Sequence, residues 1–133
     1  MADRVRTVVI GYGYAGRNFH SYLIGLEPRL ELAGIVARRP EVAQRIAEER
    51  GCPVIPSVEA ALTDDSVELV VVATPNSTHA DLVVQALDAG KHVVTDKVMC
   101  LSLADCDRMI TAAQRAGRML SVFQNRRCDG DYR

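Results

Sequence analysis

Two hydrophobic rhythms alternate along this chain. Short runs of Val, Ile, Leu and Ala, most plainly Val5–Ile10 and Val67–Ala73, have the nearly continuous apolar character of strands covered on both faces. Between them, apolar residues return every three or four positions, as on one face of a helix. The alternation predicts strands at Val5–Ile10, Leu30–Ala37, Val54–Ile55, Val67–Ala73, His92–Thr95 and Met119–Phe123. Helices are expected at about 14–26, 40–50, 77–89 and 102–117, with a helical turn after Ser57. The punctuation agrees. Pro40 suits a first helical turn, and Gly51, Gly90 and Gly117 suit C-terminal caps. Ser57 and Ser77 can cap helices, and Ser102 with Asp105 three residues on resembles a capping box.

The first strand breaks directly into Gly-x-Gly-x-x-Gly, with glycines at Gly11, Gly13 and Gly16. Gly11 allows a tight turn, Gly13 lets a pyrophosphate approach the backbone, and Gly16 lets the next helix pack against the strand. That helix offers unpaired N–H groups and a positive dipole end to a phosphate. Together with the alternation, the motif specifies an α/β fold: a doubly wound parallel sheet of Rossmann type, strand order 3-2-1-4-5-6. Ligands then bind at the carboxyl ends of the strands.

Those ends carry the candidate chemistry. After the second strand an NAD site usually places an acid for the ribose 2′-hydroxyl. Here Ala37-Arg38-Arg39 stand instead, and Glu31 lies at the wrong end of the strand. Two arginines at a helix N-terminus oppose its dipole, and a 2′-phosphate between them would reverse the sign. The missing acid and the arginines favour NADP over NAD, against the alternative of two solvated surface arginines. After the fourth strand come Thr74, Pro75, Asn76, Ser77, Thr78 and His79. Pro75 stiffens the turn, Thr74 and Asn76 can bond backbone or a ribose, and local chemistry makes Ser77 a cap. A lone His in the first helical turn, like His79, is more often structural than catalytic. After the fifth strand come Asp96 and Lys97. The lysine could donate to a hydroxyl or act as acid or base, or the two could form a surface salt bridge.

Bulk properties change the picture little. The 133 residues are enough for one domain, and a net charge of −1 gives no support for nucleic acid or an anionic membrane as partner. The longest apolar run, Leu69–Ala73, is far short of the ~20 residues a membrane span needs. No signal peptide is legible, and a cytoplasmic location is expected. Cys52, Cys100, Cys106 and Cys128 have no metal-type spacing with His20, His79 or His92, so free thiols and no metal are expected. Only two of the sixteen Lys and Arg are lysines, Lys91 and Lys97.

GYGYAGRNFH, ATPNSTHADL, ALDAGKHVVTDKV and LSVFQNRRCDGDY, in that order, resemble the N-terminal half of the Gfo/Idh/MocA oxidoreductases, which use NAD(P) on sugars, cyclitols and related polyols. The GYGYA loop, the Asp-Lys pair and SVFQNRR are most similar to the family's NADP-dependent scyllo-inositol dehydrogenase-like branch. The resemblance implies that Tyr12, Gly13, Tyr14 and Ala15 line the pyrophosphate. It implies that Thr74, Pro75, Asn76 and His79 flank the ribose and nicotinamide side. Lys97 matches the family lysine that reaches the nicotinamide ribose and the substrate hydroxyl, and Asn125 and Arg126 would lie near the nicotinamide end. Val98 replaces the motif proline after the lysine. Because a non-proline cis bond costs ~2.5–4 kcal/mol, the Lys97–Val98 bond is expected trans.

By the same resemblance, residues 1–124 form the dinucleotide-binding domain and 125–133 begin the crossover to a second, substrate-binding and dimerising domain. The expected function is the nucleotide-binding half of a sugar or cyclitol dehydrogenase; the alternative is a non-catalytic nucleotide-binding module or sensor. The 133-residue chain is expected to bind NADP(H), to turn over slowly or not at all, and not to form the family-type dimer.

Overall fold

The computed structural model describes residues 4–131. Six parallel strands, β1 (Val5–Ile10), β2 (Leu30–Val36), β3 (Val54–Ile55), β4 (Leu69–Val72), β5 (His92–Thr95) and β6 (Leu120–Val122), form one sheet in the order β3-β2-β1-β4-β5-β6. This is the expected topology. Every connection needs a crossover, and the helices α1 (Ser21–Leu26), α2 (Pro40–Arg50), α3 (Val58–Leu62), α4 (His79–Asp88) and α5 (Leu103–Ala116) supply it.

The two faces of the sheet are buried by different sequence positions. Alternate β1 residues divide between them: Val8 and Ile10 join Val70, Val72, Val83, Leu87 and Met109 on one side. Val9 joins Ile35, Ile46 and Val71 on the other. Burying one such Val or Ile side chain stabilises the fold by ~1.5–3 kcal/mol, which is why these strands carry almost no polar residues. The order reverses where β1 meets β2 on one flank and β4 on the other. Loops leaving β1 and β4 diverge there and leave a cleft at the carboxyl edge.

Most boundaries stand where the pattern puts them. Gly51 and Gly117 close α2 and α5 at φ 61° and 62°. Ser57 Oγ accepts from the Ala60 amide at 3.0 Å, and Ser102 Oγ from the Asp105 amide at 3.1 Å. Three features differ. The helix expected from about Tyr14 does begin at Tyr14–Ala15, but it widens into a π-helical segment, Gly16–His20, before α1. Ser77 caps nothing: it sits inside a 3-10 turn, Asn76–Thr78, and the Thr78 hydroxyl closes that turn on the Pro75 carbonyl at 2.7 Å. The Lys97–Val98 peptide, expected trans, is cis. Tertiary contacts hold the segment that follows it: the Val98 carbonyl oxygen accepts a 2.7 Å hydrogen bond from the buried His79 ring.

On the outer surface, Arg108 and Arg115 of α5 reach Asp81 and Asp88 of α4, two turns apart on each helix. Lys91 is spent on structure: it is 5% exposed and its ammonium donates to the Asp64 carbonyl at 2.7 Å. Among the described residues no helix is long and apolar enough to cross a membrane.

Candidate functional site

The glycine loop does what its spacing requires. Gly11 has φ +100°, and a Cβ there would lie 2.4 Å from the Ala73 carbonyl oxygen. A Cβ on Gly16 would meet the Gly11 oxygen at 2.2 Å, so the helix packs against the turn with no room for a side chain. Gly13 is the opposite case: its Cβ would meet nothing within 4 Å. Open space therefore lies over this backbone, ahead of the helix that starts where the Arg17 amide bonds the Gly13 carbonyl. A phosphate fits such a cradle.

The loop stands between two hollows. The larger, about 690 Å³, is lined by Gly11 and Ile10, by Ala37 and Arg38 after β2, by Ser57 and Val58, and by Thr74, Pro75 and Ser77. Leu82 and Gln85 of α4 complete it. The smaller, about 360 Å³, is lined by Tyr14, Ala15, Phe19, Asp96, Lys97, Phe123, Asn125 and Arg126. One hollow thus holds a guanidinium and apolar walls suited to a ring, and the other holds an ammonium.

Each electrostatic element is supported by its neighbours. Arg38 lines the larger hollow, whereas Arg39 is 77% exposed and leans on Glu41 at 3.6 Å. Of the two arginines expected from sequence to grip a phosphate, Arg38 lines this hollow and Arg39 does not. Glu31, at the far end of β2, pairs with Arg6. Asp96 forms no ion pair with the Lys97 ammonium among the described residues; its Oδ1 accepts from the Lys97 amide at 2.8 Å. Its Oδ2 lies 3.7 Å from His20 Nε2, a buried nitrogen with no hydrogen-bond partner. Burial pushes the His20 pKa down, against the opposing pull of Asp96.

Two side chains implied at the cofactor are engaged with protein partners. Tyr12 is 7% exposed, and its hydroxyl donates to Glu49 Oε2 at 2.8 Å. Arg17 holds the same carboxylate with Nε and Nη2 at 2.8 and 2.6 Å, and together with Tyr12 it pulls the Glu49 pKa down to about 2. What Tyr12 leaves for a phosphate is main chain. His79 is fully buried, with Nδ1 on the Val98 oxygen and Nε2 on the Thr74 oxygen at 2.9 Å. Thr74 Oγ1 meets Thr78 Oγ1 at 2.7 Å, which closes the turn carrying Pro75 and Asn76. Asn125 and Lys97, far apart in sequence, do share one hollow.

Some lining residues carry no motif. Leu82 and Gln85 follow Thr78 at helical spacing, so the α4 face toward the cleft was readable once Thr78 was placed. His20 lies one turn past Gly16 on the same helix, a spacing that puts it under the loop.

The profile of an oxidoreductase family with an NAD-binding Rossmann fold, Gfo/Idh/MocA, matches residues 5–124. The chain belongs to that family. Among curated Gfo/Idh/MocA relatives, the oxidoreductase YdgJ of Escherichia coli is 39% identical over 99% of this chain. The NADP(+)-dependent scyllo-inositol 2-dehydrogenase IolW of Bacillus subtilis is 32% identical over 98%. The chain spans 38% and 36% of the lengths of these two proteins. Among solved structures, the oxidoreductase YPO2259 from Yersinia pestis superposes with a TM-score of 0.92 at 41% identity, covering 99% of this chain and 37% of its own. GenD2 from gentamicin A biosynthesis, solved with NAD, gives 0.85 at 33% identity, covering 92% of this chain and 35% of its own. The chain is thus an NAD(P)-binding domain, built on a six-stranded Rossmann sheet.

Proposed function

We propose that this chain is the cofactor-binding half of an NADP-linked dehydrogenase acting on a sugar or cyclitol hydroxyl. The observation that carries the reading is the pair of hollows flanking the glycine loop, one with Arg38 and the other with Lys97. A dinucleotide has two unlike ends joined by a pyrophosphate, and this edge offers two unlike hollows joined by an open glycine backbone.

In this reading Val58, Leu82 and Pro75 wall the adenine, while Arg38 and the Ser57 hydroxyl meet a 2′-phosphate. Ser57 Oγ already accepts from Ala60, which leaves its hydrogen free to donate. Tyr14, Ala15 and the Gly13 backbone take the pyrophosphate, and Asn76 and Asn125 bond the ribose and carboxamide of the nicotinamide end. The bound nicotinamide supplies hydride transfer. Lys97 binds the substrate hydroxyl and moves its proton, and Asp96 holds the Lys97 backbone in place. A polyol substrate is supported by the activity of IolW, a scyllo-inositol 2-dehydrogenase, and by a lysine at the strand edge that can bond a hydroxyl.

The test is titration of the chain with NADPH and NADH. NADPH is expected to bind more tightly. A hydrogen bond to a charged partner contributes ~1.5–3 kcal/mol, so Arg38→Ala should cost NADPH tenfold or more and leave NADH nearly unchanged. Arg39→Ala should cost much less. A preference for NADH in the unsubstituted chain would overturn the role given to Arg38.

A further inference from the structure

Resting on the cofactor reading above, we propose that His79 is a positioning residue that builds the nicotinamide end of the site by locking the Lys97 loop to the Thr74–Asn76 turn. His79 is 0% exposed and touches no ligand-facing space, yet a buried polar ring is costly to place without a purpose or partners. Its partners are informative. They are not side chains but two main-chain carbonyls, those of Thr74 after β4 and Val98 after β5. Carbonyl oxygens only accept, and one ring nitrogen faces each of them.

The geometry explains why histidine stands here. An imidazole sets two nitrogens on one rigid ring, and it can bridge two strand ends at a fixed separation. Leucine or methionine could fill the volume but would leave both carbonyls unpaired; glutamine could donate only from one nitrogen. The tie bears on Lys97 because the lysine main chain is held from both sides. Its amide is taken by Asp96 Oδ1 at 2.8 Å, and the carbonyl of the next residue is taken by His79 at 2.7 Å. The side chain alone remains free, and it opens on the smaller hollow. The same ring fixes Thr74, whose hydroxyl bonds Thr78 and shapes the turn bearing Pro75 and Asn76.

The test compares two ligands on the 133-residue chain and its His79→Gln variant. NADPH occupies both hollows; adenosine 2′,5′-bisphosphate carries only the adenosine end. (NADH and ADP replace them if the chain prefers NADH.) The variant should bind NADPH at least fivefold more weakly and the bisphosphate within twofold of the unsubstituted chain. Equal weakening of both, or no change in a folded variant, would overturn the proposal. A variant that does not fold passes the decision to NMR of the unsubstituted chain labelled with ¹⁵N-histidine. The His79 ring signals are expected to shift with NADPH but not with the bisphosphate. Absence of an NADPH-specific shift would overturn it too. If the unsubstituted chain binds neither ligand, the cofactor reading fails and takes this proposal with it, an outcome distinct from a selective loss.

Discussion

A methyl group at Gly11 would lie 2.4 Å from the Ala73 carbonyl oxygen, on a backbone at φ +100°, whereas one at Gly13 would meet nothing within 4 Å. Alanine therefore separates two kinds of glycine. Gly11→Ala should destabilise the fold by about 1–3 kcal/mol, through strain and the clash together. Gly13→Ala should leave the melting temperature within a degree or two and weaken NADPH binding. Thermal melts with and without NADPH check both, and a stability loss at Gly13 equal to that at Gly11 would refute the distinction. At this scale the sequence was a good guide to backbone and a poorer one to side chains. Gly11, Gly13 and Gly16 have physical requirements that spacing expresses. Tyr12 and His79 sit in motif positions, but their rings turn toward partners 37 and 19–5 residues away, Glu49 in one case and Val98 and Thr74 in the other. Position in a motif does not specify which way a ring points.

Helix starts can be compared in the same way. Ser102 Oγ accepts from the Asp105 amide and donates to its carboxylate at 2.9 Å, so it satisfies an end that would otherwise be open. Ser77 makes no capping bond. Ser102→Ala should cost about 0.5–2 kcal/mol in urea unfolding, and Ser77→Ala should stay within about 0.5 kcal/mol. An equal cost at the two serines would contradict the observed caps. Both residues look alike in sequence; the difference is that Thr78, one position on, takes the Pro75 carbonyl and shapes the turn first. The π-helical segment Gly16–His20 was likewise not legible, because a five-residue widening leaves no distinct period. Strand existence was legible throughout, since alternation of apolar runs with helical periods survives errors of a residue or two at each end.

For the whole molecule the sheet order followed from that alternation together with the glycine motif, and so did the edge on which to look for chemistry. The titration behaviour did not, since it depends on burial and on which charges meet. Burial lowers the His20 pKa below its ordinary 6.5. A lowered histidine binds its proton more readily when unfolded, so stability should be full above pH 6.5 and should decline as pH falls below it. Glu49, held near 2 by Arg17 and Tyr12, and Glu27, held near 2 by Arg29, act in a lower window: their contribution is lost as pH falls from 4.5 toward 2. Urea melts from pH 8 to 5 should show the first decline, and His20→Asn should flatten it. A variant with an unchanged slope would assign the decline to other groups.

The ladder between β1 and β4 runs only from Thr7–Ile10 against Leu69–Val72. That pairing joins the first three strands to the last three, and the cleft opens across its end. In the proposed arrangement a dinucleotide would bridge the pairing like a strap, with its adenosine on one half of the sheet and its nicotinamide reaching toward the other. Part of its binding energy then goes into holding the halves together, and a protein rich in cofactor is mechanically a different object from the same chain without it.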